Sequence, residues 1–226
     1  NNPEMIVKEE TALKIAEFLL QIKAIKLNVK QPFTWASGWK SPIYCDNRIT
    51  LSYPTIRNYI RQQFVEIITE EFGDIDVVAG VATGGIPHGV LVAQDLGLPF
   101  AYVRGSKKDH GLSKRIEGII ESGQSVIMVE DLISTGGSSM RAVEAVKETG
   151  ASIKALLTIF TYGFKVADDR CRESKCNFYT LSNYDHLLTQ AVQDGYIREE
   201  DLAVLEKWRV AFDAPDMPRL QAVIGE

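Results

Sequence analysis

Ser125-Val126-Ile127-Met128-Val129-Glu130-Asp131-Leu132-Ile133-Ser134-Thr135-Gly136-Gly137-Ser138-Ser139 is the stretch on which the fold turns. Its first five residues are an apolar, β-branched run of strand length. Two carboxylates follow directly, and a hydroxyl- and glycine-rich turn then opens a helical stretch from Ser138 to Thr149, stopped by Gly150. A strand that is apolar without alternation, running through a turn into a helix, is the unit of a parallel sheet covered on both faces. The same rhythm lies on either side. Ile75 to Val81 passes through glycines into a helix over Ile86 to Leu96, closed by Gly97 and Pro99. Phe100 to Val103, Ile153 to Phe160 and Asn177 to Leu181 read as further strands. The expectation is an α/β fold, a twisted and mainly parallel sheet flanked by helices. In such sheets ligands bind beyond the carboxyl ends of the strands, so the strand-end loops carry the chemistry.

Upstream, Leu13, Ala16, Leu20 and Ile15, Leu19, Ile22 recur at helical spacing within a segment running from about Thr11 to Ile25. Phe33 to Tyr44 is polar and aromatic, a loop with short extended pieces. Pro54 sits where helices start, and Ile56, Ile60, Phe64, Ile67 and Ile68 make one apolar face ending near Gly73. Downstream, the helices around Tyr184 to Phe212 carry no functional motif. Asn1 to Glu4 precede the first methionine, Met5, and read as a remnant ahead of a natural start there.

The chain has 226 residues, with 25 Lys plus Arg against 30 Asp plus Glu, a formal charge of −5. With 45% hydrophobic and 24% charged residues it can build a full core, which excludes wholesale disorder. That length suits one large domain, or one domain with a small appendage. The acidity argues against a broad basic surface, so neither nucleic acid nor membrane is expected as a partner. The apolar runs stop short of a membrane span and the N-terminus lacks a signal-peptide pattern. Cys45, Cys171 and Cys176 are too few and too scattered for a disulfide framework or a zinc site. A reduced, cytoplasmic protein is expected.

Three strand-end loops stand out. After Val129, successive backbone N–H groups and the helix N-terminus form a cup for a phosphate monoester. Thr135 and Ser138 offer hydroxyls there, and Gly136 and Gly137 allow close approach. Glu130 and Asp131, as acceptors, suit the vicinal hydroxyls of a ribose; the plainer alternative is an N-capped helix beside solvated acids. Neither G-x-x-x-x-G-K-[ST] nor G-x-G-x-x-G occurs. The second loop, Gly80 to Gly89, offers another backbone nest for an oxyanion, although close strand–helix packing explains its glycines equally well. The third loop begins at Arg104. From there to Glu117 five cations (Arg104, Lys107, Lys108, Lys114, Arg115) face two anions (Asp109, Glu117), a local charge of +3. It reads as a lid that neutralises a polyphosphate, or otherwise as a solvated charged loop.

Together these loops resemble the type I phosphoribosyltransferases, whose signature of strand, two acids and Ser/Thr/Gly turn matches Glu130 to Ser138. Phe33-Thr-Trp-Ala-Ser-Gly-Trp-Lys-Ser-Pro-Ile-Tyr-Cys-Asp-Asn-Arg48, the lid Arg104…Lys108-Asp-His110-Gly, and Glu130 to Ser138 are similar to the orotate-using branch of that family, over roughly residues 10 to 185. The resemblance implies a small N-terminal hood over residues 1–50, then a core with C-terminal helices over 51–226. It implies transfer of the 5-phosphoribosyl group from phosphoribosyl pyrophosphate (PRPP) to orotate, giving orotidine 5′-monophosphate and pyrophosphate in de novo pyrimidine synthesis. Implied PRPP contacts are Arg104, Lys108 and His110 in the lid, then Glu130, Asp131, Leu132, Ile133, Ser134, Thr135, Gly136, Gly137 and Ser138. Lys108 is the implied catalytic residue, stabilising the leaving pyrophosphate, with His110 alternatively an ordinary loop histidine. Ser134 also meets orotate, and Ala82 to Gly85 cradle pyrophosphate. Mg²⁺ is implied as the cofactor, held mainly by substrate oxygens and water, so no protein metal ligand is expected. Lys40, Tyr44 and Arg48 are further candidates for contacts to the base, although Trp35, Trp39 and Tyr44 also suit simple packing. In the family the lid closes over the neighbouring subunit's site, which implies a homodimer. The pattern departs from relatives that carry Lys where Ala36 and Gly84 stand and Arg near Tyr162-Gly163. A phosphoribosyltransferase for a purine base and a regulatory PRPP sensor of the same fold remain as alternatives.

Overall fold

A computed structural model describes residues 4–6, 8–35, 38–105 and 115–213. The chain starts with β1 (Glu4–Ile6), α1 (Glu9–Gln21), β2 (Ile25–Leu27), β3 (Phe33–Thr34), β4 (Lys40–Ser41) and β5 (Ile43–Cys45). A 3₁₀ turn (Asn47–Ser52) leads into α2 (Pro54–Ile67), which Pro54 opens at its first position and a π segment (Ile68–Phe72) extends. Then follow β6 (Val77–Val81), α3 (Gly85–Leu96), β7 (Phe100–Val103), β8 (Ile116–Glu117) and β9 (Ser125–Ile133). The remainder is α4 (Gly137–Lys147), β10 (Ser152–Thr161), α5 (Lys165–Glu173), β11 (Phe178–Asn183), α6 (Tyr184–Gln193) and α7 (Glu199–Phe212).

Seven strands form the main sheet in the order β1-β11-β10-β9-β6-β7-β8, with every pairing parallel except that of β8 on β7. Two further two-stranded sheets, β2 with β5 and β3 with β4, lie in the N-terminal part. Side chains alternate across the sheet as strand geometry requires. Ile127 and Val129 of β9 join a core with α1, α2, α3 and α6, whereas Val126 and Met128 join one with α4 and α5. This covering of both faces is why β6 reads as five consecutive buried residues without alternation. Gly97, at φ 66°, ends α3 with a left-handed cap whose N–H reaches back to Ala93 and Gln94.

Two boundaries differ from the sequence reading. The first helix ends at Gln21, because Lys23 turns the chain at φ 59° and Ile25 to Leu27 pair with β5. Strand β9 does not stop before the acids. It continues through Glu130 and Asp131 to Ile133, since the ten-residue β10 supplies ladder partners as far as Thr161. Glu4 lies in an edge strand whose backbone pairs with Phe178. Helix α5 has no counterpart in the sequence expectation. No helix among the described residues is long and apolar enough to cross a membrane. The three cysteines are free, and burial pushes the Cys171 thiol up to about 12 and that of Cys176 to about 11.

Candidate active site

The alternation that splits the core also splits the acid pair. Glu130 continues the face of Val126 and Met128 and turns under α4, where its Oε2 accepts from Ser139 Oγ at 3.0 Å. Its Oε1 accepts from the Asp131 N–H at 3.0 Å, and only 6% of the residue is exposed. Burial, followed by the neighbouring Asp131 charge, raises the Glu130 carboxyl well above the usual carboxylate range. Asp131 faces the other way, half-buried over the start of α3. A Cβ on Gly84 would lie 2.2 Å from its carboxylate, and one on Gly85 would lie 2.2 Å from the Val129 carbonyl. The glycines of the second loop thus let α3 approach β9. A side chain at position 84 would require the Asp131 carboxylate to move.

An open cavity of about 350 Å³ lies at these strand ends, lined by Cys45 to Arg48, Ala82 to Gly84, Glu130 to Leu132, and Ser138. The N-terminal part closes one wall of it. Asn47, 1% exposed, donates its Nδ2 to the Asp131 carbonyl at 2.8 Å, and Cys45 Sγ approaches Asn47 Oδ1 at 3.1 Å. The Cys45 thiol is held well above its ordinary range by burial and then by the Asp131 charge. Thr50 donates to the Asn47 carbonyl at 2.5 Å and sits 3.4 Å from Nε2 of His88, which burial lowers to about 4 and keeps neutral. A buried polar chain therefore runs from α3 through the 3₁₀ turn to the acid pair. Arg48 stands at the rim, its Nε 3.0 Å from Asp46 Oδ1.

The turn expected to take a phosphate spans Ser134 to Gly137, between β9 and α4, with Gly136 at φ 75° and Ser138 exposed in the first turn. The sequence-predicted residues thus divide. Glu130, Asp131, Leu132 and Ser138 line the cavity. Ser134, Thr135, Gly136 and Gly137 form the adjoining turn, while the Ile133 side chain is fully buried in the α4-side core and leaves only backbone to a ligand. Arg104 follows β7 directly and stands outside the cavity lining, its guanidinium 3.5 Å from Glu117 and its N–H bonded to the Arg115 carbonyl at 2.8 Å. Those bonds tie together the two ends of the segment between β7 and β8. Lys108 and His110 lie outside the described residues, as does Ala36. Lys40 is exposed and donates to Thr34 at 2.8 Å, and Tyr44 is exposed beside Phe33. Trp35 packs among Tyr162, Trp208 and Phe212, with its indole N–H on the Ile43 carbonyl.

Residues 53–180 match the phosphoribosyl transferase domain family. The orotate phosphoribosyltransferases of Phocaeicola vulgatus and Bacteroides thetaiotaomicron are 56% and 55% identical to the chain over 194 residues, which is 86% of this chain and 92% of each relative. The chain belongs to the orotate phosphoribosyltransferase family. Its fold agrees: the crystal structure of orotate phosphoribosyltransferase from Aeropyrum pernix superposes with a TM-score of 0.70 at 24% identity, over 81% of this chain and 99% of that one. The matched residues include the acid pair, the glycine turn after β9 and the segment between β7 and β8. Asn47 and α7 flank the match on either side.

Proposed function

We propose that the protein transfers the 5-phosphoribosyl group from PRPP to orotate, forming orotidine 5′-monophosphate and pyrophosphate in de novo pyrimidine synthesis. The observation that carries this reading is the placing of one half-buried carboxylate, Asp131, between two glycine-rich strand-to-helix turns. An acceptor for ribose hydroxyls then has a backbone cup on either side, as a sugar bearing a 5′-phosphate and a 1′-pyrophosphate requires. Loosening of the C1′–O bond builds positive charge on the ribose and negative charge on pyrophosphate, so positioning and neutralisation dominate over covalent work.

Asp131 holds the ribose hydroxyls in this reading. Glu130, buried and bonded to Ser139, fixes the strand against α4 and adds an acceptor at the cavity edge. Ser134 to Ser138 take the 5′-phosphate, Ala82 to Gly85 the pyrophosphate, and Ser134 also meets orotate. Arg104, Lys108 and His110 act from the lid, with Lys108 neutralising the leaving group. Arg48, at the rim, is the nearest cation in the cavity lining for the orotate carboxylate. Asp46 and Asp131 line the same cavity and are oxygen donors of the kind Mg²⁺ takes, one or two at a time, alongside substrate oxygens and water. Bound there, the ion would spread the negative charge of pyrophosphate. The protein acts in the cytoplasm as a homodimer whose lid serves the neighbouring subunit.

The test mixes protein, Mg²⁺ and PRPP with orotate, adenine or hypoxanthine in turn and follows nucleotide formation. Turnover with orotate alone is expected. Turnover with a purine instead moves the reading to a purine enzyme, and none with any base leaves only a PRPP sensor.

A further inference from the structure

Helix α5 is the surface against which the glycine turn rests. Gly136 packs on Ala167, to whose Cα a Cβ at 136 would lie 3.4 Å away. One turn further along the same face, the Arg170 guanidinium donates from NH1 to the Thr135 carbonyl at 2.7 Å. The C=O of Thr135 and the N–H of Gly136 belong to one planar trans peptide and point in opposite directions. Pinning the carbonyl on α5 therefore turns the Gly136 N–H away from α5 and into the cup. The guanidinium stays charged at every accessible pH and sets positive potential directly behind the turn.

Helix α5 is itself held in place from afar. Phe164, its N-cap residue, makes no side-chain cap. Instead Asp213, just past α7, accepts from the N–H groups of Lys165 at 2.9 Å and Val166 at 3.4 Å. A carboxylate there satisfies two donors that the helix leaves open and complements its dipole.

We infer that Arg170 is a positioning residue for the phosphate cup, orienting the Thr135–Gly136 peptide so that its N–H meets the 5′-phosphate, with Asp213 setting the register of α5. This rests on the reading of Ser134 to Ser138 as the 5′-phosphate site. The test measures binding of ribose 5-phosphate, and of inorganic pyrophosphate as a counter-probe, to wild type, R170Q, R170K, D213A and S138A, with melting temperatures alongside. R170Q is expected to weaken ribose 5-phosphate about tenfold while moving pyrophosphate by less than about twofold. R170K should recover most of the loss, and D213A should shift the same probe less. If S138A weakens ribose 5-phosphate and R170Q does not, the inference fails and the cup reading stands. If S138A leaves it unchanged, the cup reading fails and takes the inference with it. Equal loss of both probes with a lowered melting temperature in R170Q and R170K alike assigns Arg170 to general stability and overturns the proposal. Should R170Q not fold, D213A decides on the same criteria.

Discussion

Glu130 and Asp131 are adjacent in sequence and opposite in surroundings, and that contrast is a stability statement as well as a functional one. Burial and the Asp131 charge raise the Glu130 carboxyl in the folded chain above its ordinary unfolded value. The folded state therefore keeps a proton that the unfolded state releases, and stability is lost as pH rises through the folded value. Glu130→Gln removes the titration while keeping an oxygen for the Asp131 N–H and placing an amide beside the Ser139 hydroxyl. It is expected to raise the melting temperature relative to wild type, by roughly 2–4 °C at pH 8 and by less at pH 5, while raising KM for PRPP. Thermal scans at the two pH values with steady-state kinetics check this; a gain that is larger at pH 5 would contradict the assigned cause. At this scale the acids and the glycine turn were legible because they are contiguous. Asn47 and Arg170 were not, since the atoms they hold lie 84 and 35 positions away and no spacing rule marks them.

At the scale of elements, the loop after β6 and the strand β9 are fitted to each other through hydrogen atoms on glycine. Gly84 has φ −66° and ψ −28°, a conformation alanine adopts without strain. Gly84→Ala thus isolates one steric event, displacement of the Asp131 carboxylate by the new methyl. The expected result is an unchanged melting temperature with kcat/KM for PRPP reduced about a hundredfold, as misplacement of a substrate-positioning group predicts. Near-wild-type kinetics would mean that Asp131 is not needed where it stands. The sequence pattern placed β6, α3, β7, α4 and β10 closely, because buried parallel strands and capped helices leave local signals. It misplaced the end of β9 because polar residues look like the end of a strand, whereas the length of the neighbouring strand decides where the ladder stops. It missed α5, whose short stretch mixes Lys165, Asp168, Asp169, Arg170, Arg172 and Glu173 with few apolar positions and whose cap arrives from Asp213.

Over the whole molecule, the cation-rich segment read as a lid joins β7 to its antiparallel partner β8 at the edge of the sheet, while the acid pair stands on β9, separated from β7 by β6. If each lid serves the other subunit, Lys108→Ala and Asp131→Asn subunits repair one another. Each is expected to be nearly inactive alone. After mixing and subunit exchange, half of the dimers are hybrids with one intact site, so activity should return to about a quarter of wild type. No recovery in a mixture shown to contain hybrids would place the lid over its own subunit's site.

The bond from Trp208 to the Lys40 carbonyl joins positions 168 residues apart, and Trp35 meets Trp208 and Phe212 in the same cluster. During synthesis Trp35 and its neighbours accordingly wait for α7 to emerge before their aromatic side chains are covered. Contacts of such long range are closed late and slow the final step of folding. The sheet and its glycine turn can assemble while the chain is still growing, whereas the aromatic cluster of Trp35, Trp208 and Phe212 closes only once α7 has emerged.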